Sequence, residues 1–130
     1  MPILKPLRIL YVEDNYNIRE QIAELLGCND NEVWSCETAE EALIVFAKRQ
    51  FDVLVTDVSL PGLSGMELAR RVLATDPNYW VVLCSGYEFR LGLAELGPHV
   101  RSLDKPFDAK ALKALFGEIA SAGLKNARGP

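Results

Sequence analysis

A chain of 130 residues has room for one hydrophobic core, which excludes a second catalytic domain. With 49% hydrophobic and 25% charged residues the composition is that of a globular protein, so disorder is excluded, and the aliphatic runs are too short to cross a bilayer. The formal net charge of -4 gives no electrostatic grip on a phosphate backbone and argues against direct nucleic-acid binding.

The chain opens with Met1-Pro2-Ile3-Leu4-Lys5-Pro6, without the apolar stretch of about 7 to 15 residues that a secretory signal needs, so a cytoplasmic protein is expected. Ile9-Leu10-Tyr11-Val12 is a strand-like run that stops at Glu13-Asp14-Asn15. A helix follows, with Ile18, Ile22, Leu25 and Leu26 at helical spacing up to Gly27. Asp14 or Asn15 serves as a cap for it. Residues 33–36 form a second strand, Thr38 caps a helix whose inner face is Ala39, Ala42, Leu43 and Phe46, and residues 51–56 form a buried third strand.

Past Pro61-Gly62-Leu63-Ser64-Gly65, a helix with Ala69, Val72 and Leu73 inward ends at Asp76-Pro77. Residues 80–84 give a fourth strand. Residues 87–96 make a poorer helix, since Gly92 costs about 1 kcal/mol relative to alanine and Gly97-Pro98 stops it. Residues 100–103 form a short fifth strand. A last helix carries Leu112, Leu115, Phe116 and Ile119 inward and is capped by Asp108. Strands alternating with helices predict an α/β domain with a parallel sheet over residues 1–121, followed by a flexible tail over 122–130.

Cys28, Cys36 and Cys84 have no C-x-x-C spacing and read as buried, inert thiols. His99, the lone histidine, reads as a surface loop residue. Ligands of open α/β sheets bind beyond the carboxyl ends of the strands. There the first strand presents Glu13-Asp14, the third Asp57, the fourth Ser85-Gly86, and Lys105-Pro106 follow the fifth. Carboxylates on adjacent strands repel by about 4 kcal/mol when about 4 Å apart at an effective dielectric of 20, so positive charge must compensate. Lys105 supplies one charge. A hard divalent cation on oxygen ligands, best fitted by Mg²⁺, supplies the other.

Four motifs now stand in order: Ile9-Leu10-Tyr11-Val12-Glu13-Asp14-Asn15, Val55-Thr56-Asp57-Val58-Ser59-Leu60-Pro61-Gly62, Cys84-Ser85-Gly86 and Asp104-Lys105-Pro106-Phe107. Across residues 7–119 the chain resembles the receiver domains of two-component response regulators. The resemblance implies a flavodoxin-like, doubly wound five-stranded parallel sheet of order 2-1-3-4-5 with helices on both faces. It implies a regulatory phosphoacceptor rather than an enzyme, phosphorylated on Asp57 by a histidine kinase or phosphotransfer protein and acting on a downstream protein. Glu13 and Asp14 would help hold Mg²⁺, Asp57 would be ligand and nucleophile, and the Ser59 backbone carbonyl would complete the protein ligands. Lys105 would pair with phosphoryl oxygens and Ser85 would hydrogen-bond them.

The same likeness places a kinase-docking surface at Asn15, Ile18, Arg19 and Ile22 with Pro106 and Phe107, and a cis Lys105-Pro106 bond. Receivers usually carry Tyr or Phe three residues before the site lysine. This chain has Ser102, so coupling to the output face is expected to run through residues 87–96 instead. Met1 favours a stand-alone regulator over a receiver cut from a hybrid kinase. Three alternatives fit less well. A haloacid-dehalogenase-like phosphatase needs a second aspartate where Ser59 stands, a flavin-phosphate binder would be repelled by Glu13-Asp14, and a phosphorylation-independent pseudo-receiver scaffold has no need of the intact acid set, Ser85 and Lys105.

Overall fold

In the computed structural model, residues 6–85, 96–105 and 109–122 are described. The elements among them are β1 (Arg8–Val12), α1 (Tyr16–Leu26), β2 (Glu32–Cys36), α2 (Ala39–Lys48), β3 (Val53–Asp57), α3 (Gly65–Thr75), β4 (Trp80–Ser85), β5 (Val100–Asp104) and α4 (Ala109–Ala122). The strands form one sheet in the order β2-β1-β3-β4-β5, every pairing parallel. This is the doubly wound, flavodoxin-like α/β architecture. Among the described residues, no helix is long and apolar enough to cross a membrane.

Side chains alternate across a strand, so each strand feeds two cores. Leu10, Val12, Leu54, Val81 and Leu83 face α2 and α3, where they meet Ala39, Ala42, Leu68, Ala69, Val72 and Leu73. Ile9, Tyr11, Val53, Val55, Trp80, Val82 and Cys84 face the opposite layer, against Leu26 of α1 and Leu112 and Ile119 of α4. The near-continuous apolar runs of β1, β3 and β4 follow from this two-sided burial.

The helices begin where side chains accept their first amides. Asn15 Oδ1 accepts from Ile18 N at 3.0 Å and Thr38 Oγ1 from Glu41 N at 3.1 Å. Glu41 in turn accepts from Glu37 N, one residue before the cap, at 2.9 Å. Ser64 caps α3 in the same way, accepting from Glu67 N at 3.1 Å.

Two expectations need correction. Cys28 is exposed, because it lies past Gly27 in the short 3-10 turn Cys28–Asp30 that carries the chain over the surface to β2. Cys36 and Cys84 are buried, and desolvation pushes both thiols up to about 12. The second concerns the surface expected on α1: Ile18 is 37% exposed, but Ile22 is partly buried and packs against the core. His99 is half-buried, its ring stacked 4.5 Å from Trp80 and its Nδ1 2.9 Å from the carbonyl oxygen of Asn78. The poorer helix over 87–96, apart from helical Leu96, the Asp108 cap, the cis Lys105-Pro106 bond and the tail past residue 122 lie outside the described residues.

The start of α3 sits directly against the end of β3. A Cβ on Gly65 would lie 1.7 Å from the backbone oxygen of Asp57 and 3.0 Å from Thr56 Oγ1. Gly65 N donates to the Val58 carbonyl at 2.9 Å, so the contact cannot open without losing that bond. Gly65→Ala is predicted to destabilise the domain by about 1–3 kcal/mol, the usual cost of overpacking, measured as a lower urea midpoint at unchanged slope.

Candidate functional site

The strand register assembles the site. Val12 pairs with Thr56, so Glu13 and Asp57 emerge at one level from adjacent strands, and Asp57 pairs with Cys84. Glu13 is 3% exposed and Asp57 9%, while Asp14 is exposed. One carboxylate oxygen from each of Glu13, Asp14 and Asp57 can be chosen so that all lie within 4.8 Å of one another. Lys105, just past β5, places Nζ 3.0 Å from Glu13 Oε1 and 2.6 Å from Asp57 Oδ1. Its backbone N donates to the Ser85 carbonyl at 2.7 Å, which holds the end of β5 to the end of β4.

The backbone around the acids is fixed from several sides. Glu13 N donates to the Cys36 carbonyl at 3.1 Å, and Glu13 Oε2 accepts from Asn15 N at 3.1 Å. Arg19 reaches back from α1 and donates from a guanidinium nitrogen to the Glu13 carbonyl at 2.8 Å. Thr56 Oγ1 donates to the Asp57 carbonyl at 3.0 Å inside the core. Ser59 is exposed in the loop between β3 and α3, and Ser85 is half-buried at the end of β4.

Among the described residues, the candidates Glu13, Asp14, Asp57, Ser59, Ser85 and Lys105 therefore lie at the same end of the sheet, with Glu13, Asp14, Asp57 and Lys105 in one cluster. Arg19 and Gly65 act on this cluster without a motif of their own. Arg19 was expected on a docking surface; half-buried and bonded to the Glu13 carbonyl, it also positions the acidic loop. For Gly65 the only sequence signal is its place at the start of α3.

Burial raises the Asp57 pKa above the ordinary aspartate value, Lys105 opposes the rise, and Glu13 adds to it. Burial lowers the Lys105 pKa, but its bonds to Asp57 and Glu13 outweigh that and leave it raised. Three carboxylates against one ammonium leave two negative charges uncompensated. All-oxygen donors with that deficit suit a hard divalent cation such as Mg²⁺, and among these donors there is neither imidazole nor thiolate to favour a softer ion.

The response regulator receiver domain model matches residues 9–116. The chain belongs to this family. The receiver is 31% identical to the response regulator protein FleR of Pseudomonas aeruginosa over 125 residues, which is 90% of this chain and 25% of that protein. It therefore spans about a quarter of that relative's length. It is 26% identical to sporulation initiation phosphotransferase F of Bacillus subtilis, over 82% of this chain and 87% of that protein. Among solved structures, the response regulator TrrA of Thermotoga maritima, in complex with Mg²⁺ and BeF, superposes with a TM-score of 0.78 at 30% identity. That match covers 87% of this chain and 98% of the other. Receivers are signalling modules, and the acidic pocket of this one has the donor set described above.

The raised Asp57 pKa has a consequence for stability. A carboxyl whose pKa is raised on folding contributes stability that is whole below its ordinary value and is lost as pH climbs through the raised one. Asp57→Asn is therefore predicted to stabilise the domain at pH 7 in EDTA by on the order of 1 kcal/mol, the common scale for relieving a strained functional site. The gain should shrink as pH falls toward the ordinary aspartate value of 3.8, measured by urea unfolding across pH.

Proposed function

We propose that this receiver, taken as residues 1–121 with 122–130 as a tail, is a phosphoacceptor switch. It takes a phosphoryl group on Asp57 from a histidine kinase or phosphotransfer protein and changes its affinity for a downstream protein. The observation that carries this reading is the Lys105 ammonium lying between Glu13 and Asp57, with the Asp14 carboxylate beside them.

Glu13, Asp14, Asp57 and the Ser59 carbonyl would hold Mg²⁺, which when bound offsets the negative charge shared by the acids and the incoming phosphoryl oxygens. In the transfer, a carboxylate oxygen of Asp57 forms a bond to phosphorus as the bond from phosphorus to the donor's histidine nitrogen breaks. The leaving imidazole keeps that electron pair. Charge in the transition state spreads over the equatorial oxygens, so the domain contributes positioning and neutralisation. Lys105 would follow one of those oxygens with its ammonium, and the Ser85 hydroxyl would donate to another.

The Ser85 contact is made only once Asp57 is phosphorylated. It therefore supplies the differential interaction that a two-state switch requires. Support for this reading also comes from the relatives: one is named a phosphotransferase, and another was solved with Mg²⁺ and BeF, whose beryllofluoride stands in for a phosphoryl group.

Intact mass spectrometry after incubation with Mg²⁺ and acetyl phosphate tests the chemistry without a partner. A single phosphoryl adduct is expected on the wild-type chain, with none in EDTA and none on Asp57→Asn. An adduct on Asp57→Asn overturns Asp57 as the acceptor, and an adduct that survives EDTA unchanged overturns the need for a divalent cation. Millimolar Mg²⁺ should also raise the melting temperature of the wild-type domain, by mass action on the native state.

A further inference from the structure

The loop from Val58 to Gly65 is closed at its neck, where Gly65 N donates to the Val58 carbonyl at 2.9 Å and Val58 N donates to the Cys84 carbonyl at 2.9 Å. Between these anchors the chain runs through Ser59, Leu60, Pro61, Gly62 and Leu63 across the surface. Its far side is tied to another element: Leu63 N donates to Glu40 Oε2 at 3.0 Å, a contact spanning 23 residues of sequence. Glu40 stands in the first turn of α2.

The neighbouring glycine is shaped to this contact. Gly62 has φ +75, a left-handed conformation that side chains other than glycine rarely take. A Cβ there would also lie 2.6 Å from Glu40 Oε2. The carboxylate thus occupies the space that the glycine leaves. The Leu63 amide also holds the Glu40 carboxyl below its ordinary pKa.

We propose that Glu40 is a positioning residue for the cation site, fixing through Leu63 N the loop that carries the Ser59 carbonyl. The proposal rests on the reading of Glu13, Asp14, Asp57 and Ser59 as the Mg²⁺ ligands. Glu40 itself reaches neither the ion nor the phosphoryl group. It acts through the loop, as outer groups around metal sites orient the ligands that touch the metal.

The test is calorimetric titration of the full chain with MgCl₂, comparing wild type, Glu40→Ala and Glu40→Gln. Glu40→Ala is expected to raise the Mg²⁺ Kd about three- to tenfold, at or below the lower end of the roughly 10- to 100-fold effect of groups that support a metal ligand directly. Glutamine keeps an oxygen acceptor for Leu63 N but loses the charge, so Glu40→Gln should bind within about twofold of wild type if the hydrogen bond is what matters. Hydrogen exchange at the Leu63 amide should quicken in the alanine variant and stay slow in the glutamine one.

An alanine variant that binds Mg²⁺ as wild type does overturns the proposal. So does a glutamine variant that weakens as much as alanine, since the effect would then be long-range charge rather than loop positioning. A folded wild-type chain that gives no Mg²⁺ binding at all overturns the cation site itself, and with it this proposal. Because Glu40 is an exposed side chain, urea unfolding in EDTA should leave all three proteins close in stability, separating a binding effect from a folding one.

Discussion

One ammonium shared by two buried carboxylates is the interaction on which the rest of the site depends. Lys105 Nζ lies within 3.0 Å of Glu13 and 2.6 Å of Asp57. At an effective dielectric of 20, opposite charges about 4 Å apart attract by about 4 kcal/mol, and like charges repel by a similar amount. The two attractions offset the Glu13–Asp57 repulsion, yet the burial of Asp57 still leaves its ionised form disfavoured. The arrangement is stable enough to fold and still short of positive charge, which is the condition for a site that takes up a cation.

The alternation of side chains along parallel strands brings these three groups together. Glu13 follows Tyr11 by two residues, Asp57 follows Val55 by two, and Lys105 follows Leu103 by two. Tyr11, Val55 and Leu103 all line the core shared with α1 and α4. The same period that fills this core therefore aims the charged residues to one side once the strands run out. Changing the register of β1 against β3 by one residue would turn Glu13 toward α2 and α3 and dismantle the cluster, so the apolar pattern of the strands fixes the chemistry as well as the packing.

Much of this was legible in the sequence, and the reason is physical. Strand ends in an open parallel sheet are marked by an abrupt change from apolar to charged residues, and Glu13, Asp57 and Lys105 each sit at such a break. The caps at Asn15 and Thr38 were legible because capping needs a short polar side chain just ahead of a helical pattern. What could not be read was contact between a side chain and distant backbone. Arg19 bonding the Glu13 carbonyl and Glu40 bonding Leu63 N have no period and no motif, since any long polar side chain on the right helix face can make such a bond. Nor could the exposure of Cys28, because it lies just past the end of α1, where helical spacing no longer tells the core face from solvent.

The position of Arg19 also separates two questions that the surface of α1 otherwise merges. Tyr16 is 64% exposed and Ile18 37%, so the beginning of α1 presents apolar area next to the acids. The Arg19 guanidinium lies 5.4 Å from the centre of the Tyr16 ring while it holds the Glu13 carbonyl. A partner landing on Tyr16 therefore touches the group that fixes the acidic loop. Reversing the charge at Arg19 removes a donor from the Glu13 carbonyl and places a further negative charge beside the acids, so it changes the site whether or not a partner binds. Substitution at Ile18, which is exposed and whose side chain lies outside the hydrogen bonds of the acidic loop, changes the surface alone. Docking on α1 is therefore a question to put to Ile18, and loop geometry a question to put to Arg19.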